Sequence, residues 1–176
     1  PRLSLVMASG SGYDHIDVAA ATEGGIVVTN SATHNMEDVA EFTLALILAA
    51  GRRIRFLDGA VRQGHWRPTT LVPPIHRCLG QRLGLVGYGN VGRAVAWRAR
   101  GIGLRVLAHD PYIPAEIMQK AGIEPVGLAE LLRKSDFVSL HLRLNDETRH
   151  LLGDKEFSSM KPTAYVINTS RGGVIN

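Results

Sequence analysis

The chain has 176 residues, 45% of them hydrophobic, and a formal net charge of +4. That length is enough for one full core, or for one core and a piece of another. No apolar run is long enough to span a membrane, and the basic residues are spread along the chain, which argues against a nucleic-acid partner and favours small anionic ones. The single cysteine, Cys78, excludes an internal disulfide and is typical of a reducing compartment, so we expect a cytoplasmic protein. We interpret Cys78 as an inert side chain in a loop, and we predict no metal site.

The first thirty residues predict one strand-helix-strand unit. Strands are expected at 3–7 and 26–29 and a helix at 16–22, with a glycine-rich turn at 9–14 after the first strand. Gly24 and Gly25 fit the C-terminal end of that helix. The unit is too small to be a domain, so we expect residues 1–33 to be the end of a domain whose beginning is absent.

Two helices are predicted next, at 35–51 and 54–62. The first carries acidic residues in its opening turns and arginines after its end, as the helix dipole favours. Its middle, 42–50, is apolar on nearly all sides, so we expect it to be buried between domains or between subunits. The stretch 65–78, which holds three prolines, is predicted to be an irregular loop.

A glycine pattern follows the apolar strand predicted at 83–86. Gly87, Gly89 and Gly92 have the spacing G-x-G-x-x-G, and a helix and a second strand at 104–108 come after them. The first glycine permits a tight turn, the second lets a pyrophosphate approach the backbone, and the third lets the helix pack closely. Together with the free N–H groups at the helix start, this pattern predicts a dinucleotide-binding turn.

Asp110 ends the second strand, 23 residues after Gly87. A carboxylate at this position accepts hydrogen bonds from the adenosine ribose and repels a 2′-phosphate, which favours NAD over NADP. An alternative is that Asp110 serves as a cap or turn residue before Pro111, and the two roles are compatible.

The remaining sequence alternates helices, predicted at 114–121, 128–134 and 154–160, with strands at 123–126, 137–140 and 164–167. Such alternation predicts an α/β fold with a doubly wound parallel sheet, a Rossmann-type domain spanning 34–176. Ligands of such sheets bind at the carboxyl ends of the strands, here the loops 87–92, 109–111, 141–145 and 168–173. Arg171 lies in the last loop and can hold a carboxylate bidentately, although an exposed surface arginine is the alternative. We interpret His141 as a packing or hydrogen-bonding residue rather than a proton carrier.

Several of these stretches together resemble the D-isomer-specific 2-hydroxyacid dehydrogenases. The resemblance rests on GSGYDHIDVAAATEGGIVVTN, EDVAEFTLALILAAGRR, GYGNVG, HDPY, SDFVSLHLRLNDETRHLL and MKPTAYVINTSRGG, which run almost from end to end. Within that family the sequence is most similar to the branch of the C-terminal-binding-protein corepressors and their bacterial dehydrogenase relatives. The resemblance implies an NAD-dependent oxidoreductase that interconverts 2-oxo and D-2-hydroxy acids, a flavodoxin-like substrate domain beside the NAD-binding domain, and a homodimer formed through the helix 37–50.

The resemblance also assigns roles to individual residues. Arg171 binds the substrate carboxylate and polarises its 2-oxo group, and Ser11 and Gly12 face the nicotinamide and the substrate. The residues assigned to the cofactor are Gly87, Gly89, Asn90, Val91, Gly92, Asp110, Leu142, Thr148, Thr169 and Ser170.

The sequence departs from the family pattern in two respects. Arg143 stands where the family commonly has a proline, which adds a cation near the expected cofactor. The family's catalytic histidine and its acid are expected beyond Asn176, so we expect this sequence to be a fragment with its NAD-binding domain truncated before the last strands. Two other functions stay open: an NAD(H)-sensing, corepressor-like binding protein, and a formate- or phosphite-type dehydrogenase, for which Asn35 matches the asparagine of formate dehydrogenases.

Overall fold

The structure, a computed structural model, describes residues 2–66 and 75–176. It begins with a small parallel unit in which strand β1 (Leu5–Ala8) pairs with strand β2 (Val27–Asn30) across helix α1 (Val18–Glu23). The helix begins at Asp17, whose carboxylate accepts a hydrogen bond from the Ala20 amide. The turn 9–14 begins directly after the carboxyl end of β1 and leads toward this helix.

Two helices connect this unit to the rest of the chain. Helix α2 (Met36–Gly51) and helix α3 (Ile54–Arg62) meet at Arg53, which adopts a left-handed φ of 54° and places its guanidinium over the Tyr165 ring. The glycine at the end of α2 permits close packing, because a Cβ on Gly51 would lie 2.8 Å from the Phe137 ring. Helix α2 is thereby fixed against the large sheet.

A five-stranded parallel sheet forms the remainder of the fold, in the order β5-β4-β3-β6-β7. From β3 the chain continues to β4 and β5 on one side of that strand, and then crosses to β6 and β7 on the other side. The topological switch point therefore lies between β3 and β6. The elements are β3 (Arg82–Val86), α4 (Asn90–Gly101), β4 (Arg105–His109), α5 (Ala115–Lys120), β5 (Glu124–Pro125), α6 (Leu128–Lys134), β6 (Phe137–Leu140), α7 (Asp154–Ser159), β7 (Tyr165–Asn168) and a 3-10 turn at Gly172–Val174.

Two hydrophobic clusters pack against opposite faces of this sheet. Leu83 and Leu85 of β3 face the cluster that includes α2, α4 and α5, whereas Val86 faces the cluster that includes α6. The strands β3 and β6 are buried on both faces, as their apolar sequences predict. In the described residues, no helix is long and apolar enough to cross a membrane.

The structure confirms the doubly wound sheet, and most predicted boundaries agree with it within two residues. Strand β5 is shorter than predicted, with two residues, and it contains Pro125, which has no N–H to donate to a ladder. The turn Gly172–Val174 was not predicted. The prolines of the predicted loop 65–78 lie outside the described residues, but Cys78 is described and is buried, consistent with an inert side chain.

Candidate active site

The glycine turn between β3 and α4 has the geometry that its spacing predicts. Gly87 has a φ of +96°, and a Cβ there would lie 2.5 Å from the His141 carbonyl oxygen, so only glycine fits. A Cβ on Gly92 would lie 2.4 Å from the Gly87 carbonyl oxygen, which shows that the third glycine packs against the turn itself. Both residues are therefore required by the protein's own packing.

Gly89 differs from these two glycines because, in the part of the chain that the structure describes, no atom beyond its chain neighbours lies within 4 Å of its Cβ position. It caps the N-terminus of α4, a helix of 12 residues, where Asn90 is exposed and Val91 is half-buried. The first N–H groups of this helix have no side-chain cap, so they and the dipole are available to an anion. The open space beside Gly89 thus fits the pyrophosphate of a dinucleotide.

Asp110 is anchored by two backbone amides. Its Oδ2 accepts a hydrogen bond from the Tyr88 amide at 2.8 Å, and its Oδ1 accepts one from the Tyr112 amide at 2.9 Å. The second bond confirms the role of Asp110 as a turn residue, and the first ties the carboxylate to the glycine turn. Each oxygen keeps a further lone pair, so the anchored carboxylate is also positioned to accept a ribose hydroxyl.

The loop after β6 lies against the glycine turn. The Leu142 side chain comes within 3.2 Å of the Gly87 Cβ position. Thr148 uses its hydroxyl inside the loop, where it donates to the Arg143 carbonyl and accepts from the Asn145 amide. Leu142 is therefore placed at the predicted cofactor turn, and Thr148 fixes the shape of the loop that carries Arg143.

His141 opens this loop and supports the interpretation of a packing residue. Its Nε2 lies 3.0 Å from the Ser139 hydroxyl, and burial lowers the pKa of His141 to about 4. The side chain is thus neutral at physiological pH.

The side chain of Arg171 contacts the turn 9–14 of the small β1–β2 unit. Its Nε donates to Asp14 Oδ1 at 2.7 Å, and its Nη1 donates to the Ser170 carbonyl at 2.9 Å. A Cβ on Gly12 would lie only 1.4 Å from Nη2 of Arg171, so the guanidinium packs directly on the Gly12 backbone. The structure therefore brings together Arg171 and Gly12, two residues from opposite ends of the chain.

Asn168 holds the backbone that carries Arg171. Its side-chain nitrogen donates to the Arg171 carbonyl at 2.9 Å, and its side-chain oxygen accepts from the amide and the hydroxyl of Ser170. The Ser170 hydroxyl is therefore engaged inside the loop. Ser11, beside Gly12, is likewise held through its carbonyl, which accepts from Asn30.

Thr169 is bonded to the buried Thr43 of α2, with the two hydroxyl oxygens 2.9 Å apart. Thr43 already donates its proton to the Val39 carbonyl. Because a hydroxyl has one proton, Thr169 must be the donor to Thr43. The Thr169 oxygen is thus left as an acceptor toward any ligand.

Sequence reasoning missed three residues that organise this site, namely Asp14, Asn168 and Thr43. Asp14 lies in the glycine-rich turn after a strand and Asn168 at a strand end, but neither position indicates which residue it contacts. Thr43 lies in a helix that is apolar on nearly all sides, where a lone threonine carries no recognisable signal.

Comparison with known proteins identifies the family. Residues 44–176 match the family model described as "D-isomer specific 2-hydroxyacid dehydrogenase, NAD binding domain". The chain belongs to this family. The match covers the glycine turn, Asp110 and Arg171, and it confirms the resemblance to the family and the prediction of NAD as cofactor.

Individual relatives agree with the family model. The chain is 42% identical over 180 residues to a glyoxylate reductase of Korarchaeum cryptofilum, covering 100% of this chain and 54% of the relative. It is 43% identical over 181 residues to a glyoxylate reductase of Aeropyrum pernix, with the same coverage. The structure of a D-lactate dehydrogenase from Aquifex aeolicus, complexed with NAD and lactic acid, matches with a TM-score of 0.92 and 33% identity, covering 100% of this chain and 52% of that one. The chain thus spans about half the length of the curated glyoxylate reductases.

Proposed function

We propose that the complete protein carrying this sequence is an NAD-dependent oxidoreductase that interconverts a 2-oxo acid and a D-2-hydroxy acid. The observation that carries the proposal is the position of Arg171, which is held on Gly12 at the carboxyl end of β7. Family membership and relatives named glyoxylate reductase support the same activity. The proposed substrate is a small anion, and we expect neither a nucleic-acid partner nor a membrane partner.

Each part of the site has a task in this proposal. The open turn at Gly89 and the N-terminus of α4 bind the pyrophosphate, and Asp110 binds the adenosine ribose. Arg171 binds the substrate carboxylate bidentately and polarises the neighbouring 2-oxo group. When bound, the nicotinamide supplies or accepts the hydride.

The remaining assigned residues line the ligands. Ser11 and Gly12 face the nicotinamide and the substrate, while Asn90, Val91, Leu142, Thr148, Thr169 and Ser170 line the cofactor. The acceptor oxygen of Thr169 is suited to an amide N–H group, because its only proton is donated to Thr43.

The test is NADH oxidation by the complete protein with glyoxylate and with pyruvate, followed by oxidation of D- and L-lactate in the reverse direction. We expect turnover of the 2-oxo acids and a preference for the D isomer. A complete protein that binds NADH stoichiometrically but turns over no 2-oxo acid would instead support the corepressor-like alternative.

We also propose a homodimer formed through α2 and the segment after it. Phe42 on α2 is 60% exposed in the single chain, and Phe56 of α3 lines a groove of about 590 Å³ between α2, α3 and Tyr165. Apolar surface of this kind is stabilised by burial at about 25 cal/mol per Å². Sedimentation of the complete protein at micromolar concentration should give a dimer, and a monomer would contradict the proposal.

Two further proposals concern the domain division and the cellular location of the protein. We propose that residues 1–33 belong to the substrate domain and 34–176 to the NAD-binding domain, which is supported by the separate pairing of β1 with β2. A cytoplasmic location is supported by the single free cysteine, Cys78. Limited proteolysis and cell fractionation test these two proposals.

A further inference from the structure

The guanidinium of Arg171 is held at two of its three nitrogens before any substrate is present. Asp14 accepts from Nε and the Ser170 carbonyl accepts from Nη1. Because the guanidinium is planar and carries five N–H donors, these two bonds fix its plane and leave three donors, all of them on Nη1 and Nη2. One of these donors is on Nη1 and two are on Nη2, so each Nη atom keeps a donor for a bidentate carboxylate.

Asp14 is the side chain that selects this edge. Arginine presents two bidentate edges to a carboxylate, one that includes Nε and one formed by the two Nη atoms. The bond from Nε to Asp14 occupies the first edge. The Nη edge is therefore the one left for an incoming carboxylate, and Nη1 gives one of its two protons to the Ser170 carbonyl. The side chains of Asp14 and Arg171 are each 36% exposed, so the pair is accessible from solvent.

The negative charge of Asp14 opposes binding of an anionic substrate, whereas its position favours binding by orienting Arg171. The hydrogen bond from Arg171 lowers the pKa of the Asp14 carboxyl below its usual value, so Asp14 is ionised at neutral pH. An ionised carboxylate beside an anion site repels the substrate, whereas its oxygen orients the arginine. An amide at the same position would keep the accepting oxygen and remove the repulsion.

We propose that Asp14 is a positioning residue for the 2-oxo acid, which holds Arg171 by Nε so that the Nη edge receives the substrate carboxylate. This inference rests on the proposed function. Immobilising a long side chain in advance is worth roughly tenfold in affinity, and an arginine displaced by about 1 Å reduces the rate by about 100-fold. Loss of Asp14 should therefore act on the 2-oxo acid and not on NADH.

The experiment compares three substitutions in the complete protein, Asp14→Ala, Asp14→Glu and Asp14→Asn. Asp14→Glu keeps the charge but shifts the carboxylate by one methylene, while Asp14→Asn keeps the accepting oxygen without the charge. The matched control is Asp17→Asn, which removes one charge nearby and preserves the side-chain cap of α1. The measurements are kcat and KM for glyoxylate at saturating NADH, the NADH dissociation constant by fluorescence, and the melting temperature.

We expect Asp14→Ala and Asp14→Glu to raise KM for glyoxylate about tenfold and to lower kcat, with NADH affinity within twofold of the unaltered protein. Asp14→Asn should recover most of kcat, with a KM below that of the other two variants. Equal impairment of Asn, Ala and Glu would overturn the proposal, and so would a loss confined to NADH binding or an Ala variant with unaltered kinetics. Absence of turnover by the unaltered protein would instead contradict the proposed function.

Discussion

Substitution of Gly12 by alanine tests the geometry on which the proposed function rests. The added Cβ would lie 1.4 Å from Nη2 and 2.6 Å from Cζ of Arg171, whereas ordinary contact begins at 3.4 Å. The end of the arginine must therefore move by about 2 Å, the difference between 3.4 and 1.4. Since a misplacement of about 1 Å can reduce a rate 100-fold, we expect kcat/KM for glyoxylate to fall by at least about 100-fold, or about 2.7 kcal/mol.

The same substitution should leave the fold intact. Gly12 is not among the glycines with positive φ, and the two atoms that its Cβ would overlap belong to the flexible end of Arg171. We therefore expect a melting temperature close to that of the unaltered complete protein. The matched control is Gly10→Ala in the same turn, because its Cβ would come no closer than 3.9 Å to a neighbouring atom. A Gly12→Ala variant with unaltered kcat/KM, or one that unfolds, would refute the reasoning.

Four further predictions concern the cofactor turn, the cofactor, the arginine and the buried histidine. Gly92→Ala should lower the free energy of unfolding by about 1–3 kcal/mol through overpacking. Gly89→Ala should leave the free energy of unfolding unchanged and weaken NADH binding roughly tenfold, because the added methyl group disturbs hydrogen bonds to the pyrophosphate. Calorimetry and NADH titration distinguish the two effects, and equal melting temperatures of the two variants would contradict the assignment. The complete protein should bind NADH roughly tenfold more tightly than NADPH, because Asp110 repels a 2′-phosphate, and a ratio of dissociation constants near unity would exclude this. Arg171→Lys should reduce kcat/KM about 100-fold, because a single ammonium group does not reproduce the bidentate geometry; unchanged kinetics would remove the arginine from the mechanism. Finally, burial lowers the pKa of His141 in the folded state to about 4, below its ordinary value of 6.5, so the unfolded state binds more protons and stability should fall as pH decreases from 6.5 to 4. Denaturation of His141→Gln should show a smaller loss over that range, and an identical loss would contradict the shift.

The parts of the fold that the sequence predicted depend on interactions between near neighbours. The turn at Gly87 and the helix that follows it are set by backbone conformation over a few residues, so the glycine spacing identified both. The strand β6 was predicted with its exact bounds because Phe137, Val138 and Leu140 form a short, largely apolar run that ends at His141. Local pattern is sufficient where an element is bounded by residues with strong conformational preferences.

The organisation around Arg171 depends instead on residues far apart in the chain. Asp14 lies 157 positions before Arg171, and no periodicity or spacing connects them. Thr43 and Thr169 are similarly separated by 126 positions. Such pairs are determined by the topology that places the β1 turn, helix α2 and the end of β7 together, and one sequence without a structure does not specify those contacts.

The glycines illustrate the same limit within a single residue type. In the sequence, the G-x-G-x-x-G spacing assigns separate tasks to Gly87, Gly89 and Gly92, whereas Gly12 has only the role that the family resemblance implies. The structure separates them: Gly87 is required by its φ, and Gly92 by a backbone oxygen 2.4 Å from its Cβ position. Among the described residues, no atom beyond the chain neighbours of Gly89 lies within 4 Å of its Cβ position. Gly12 has no φ requirement, and the closest atom to its Cβ position is the functional group of Arg171. Because neither backbone conformation nor core packing accounts for Gly12, the site itself accounts for it, and a substitution there should act on chemistry before it acts on stability.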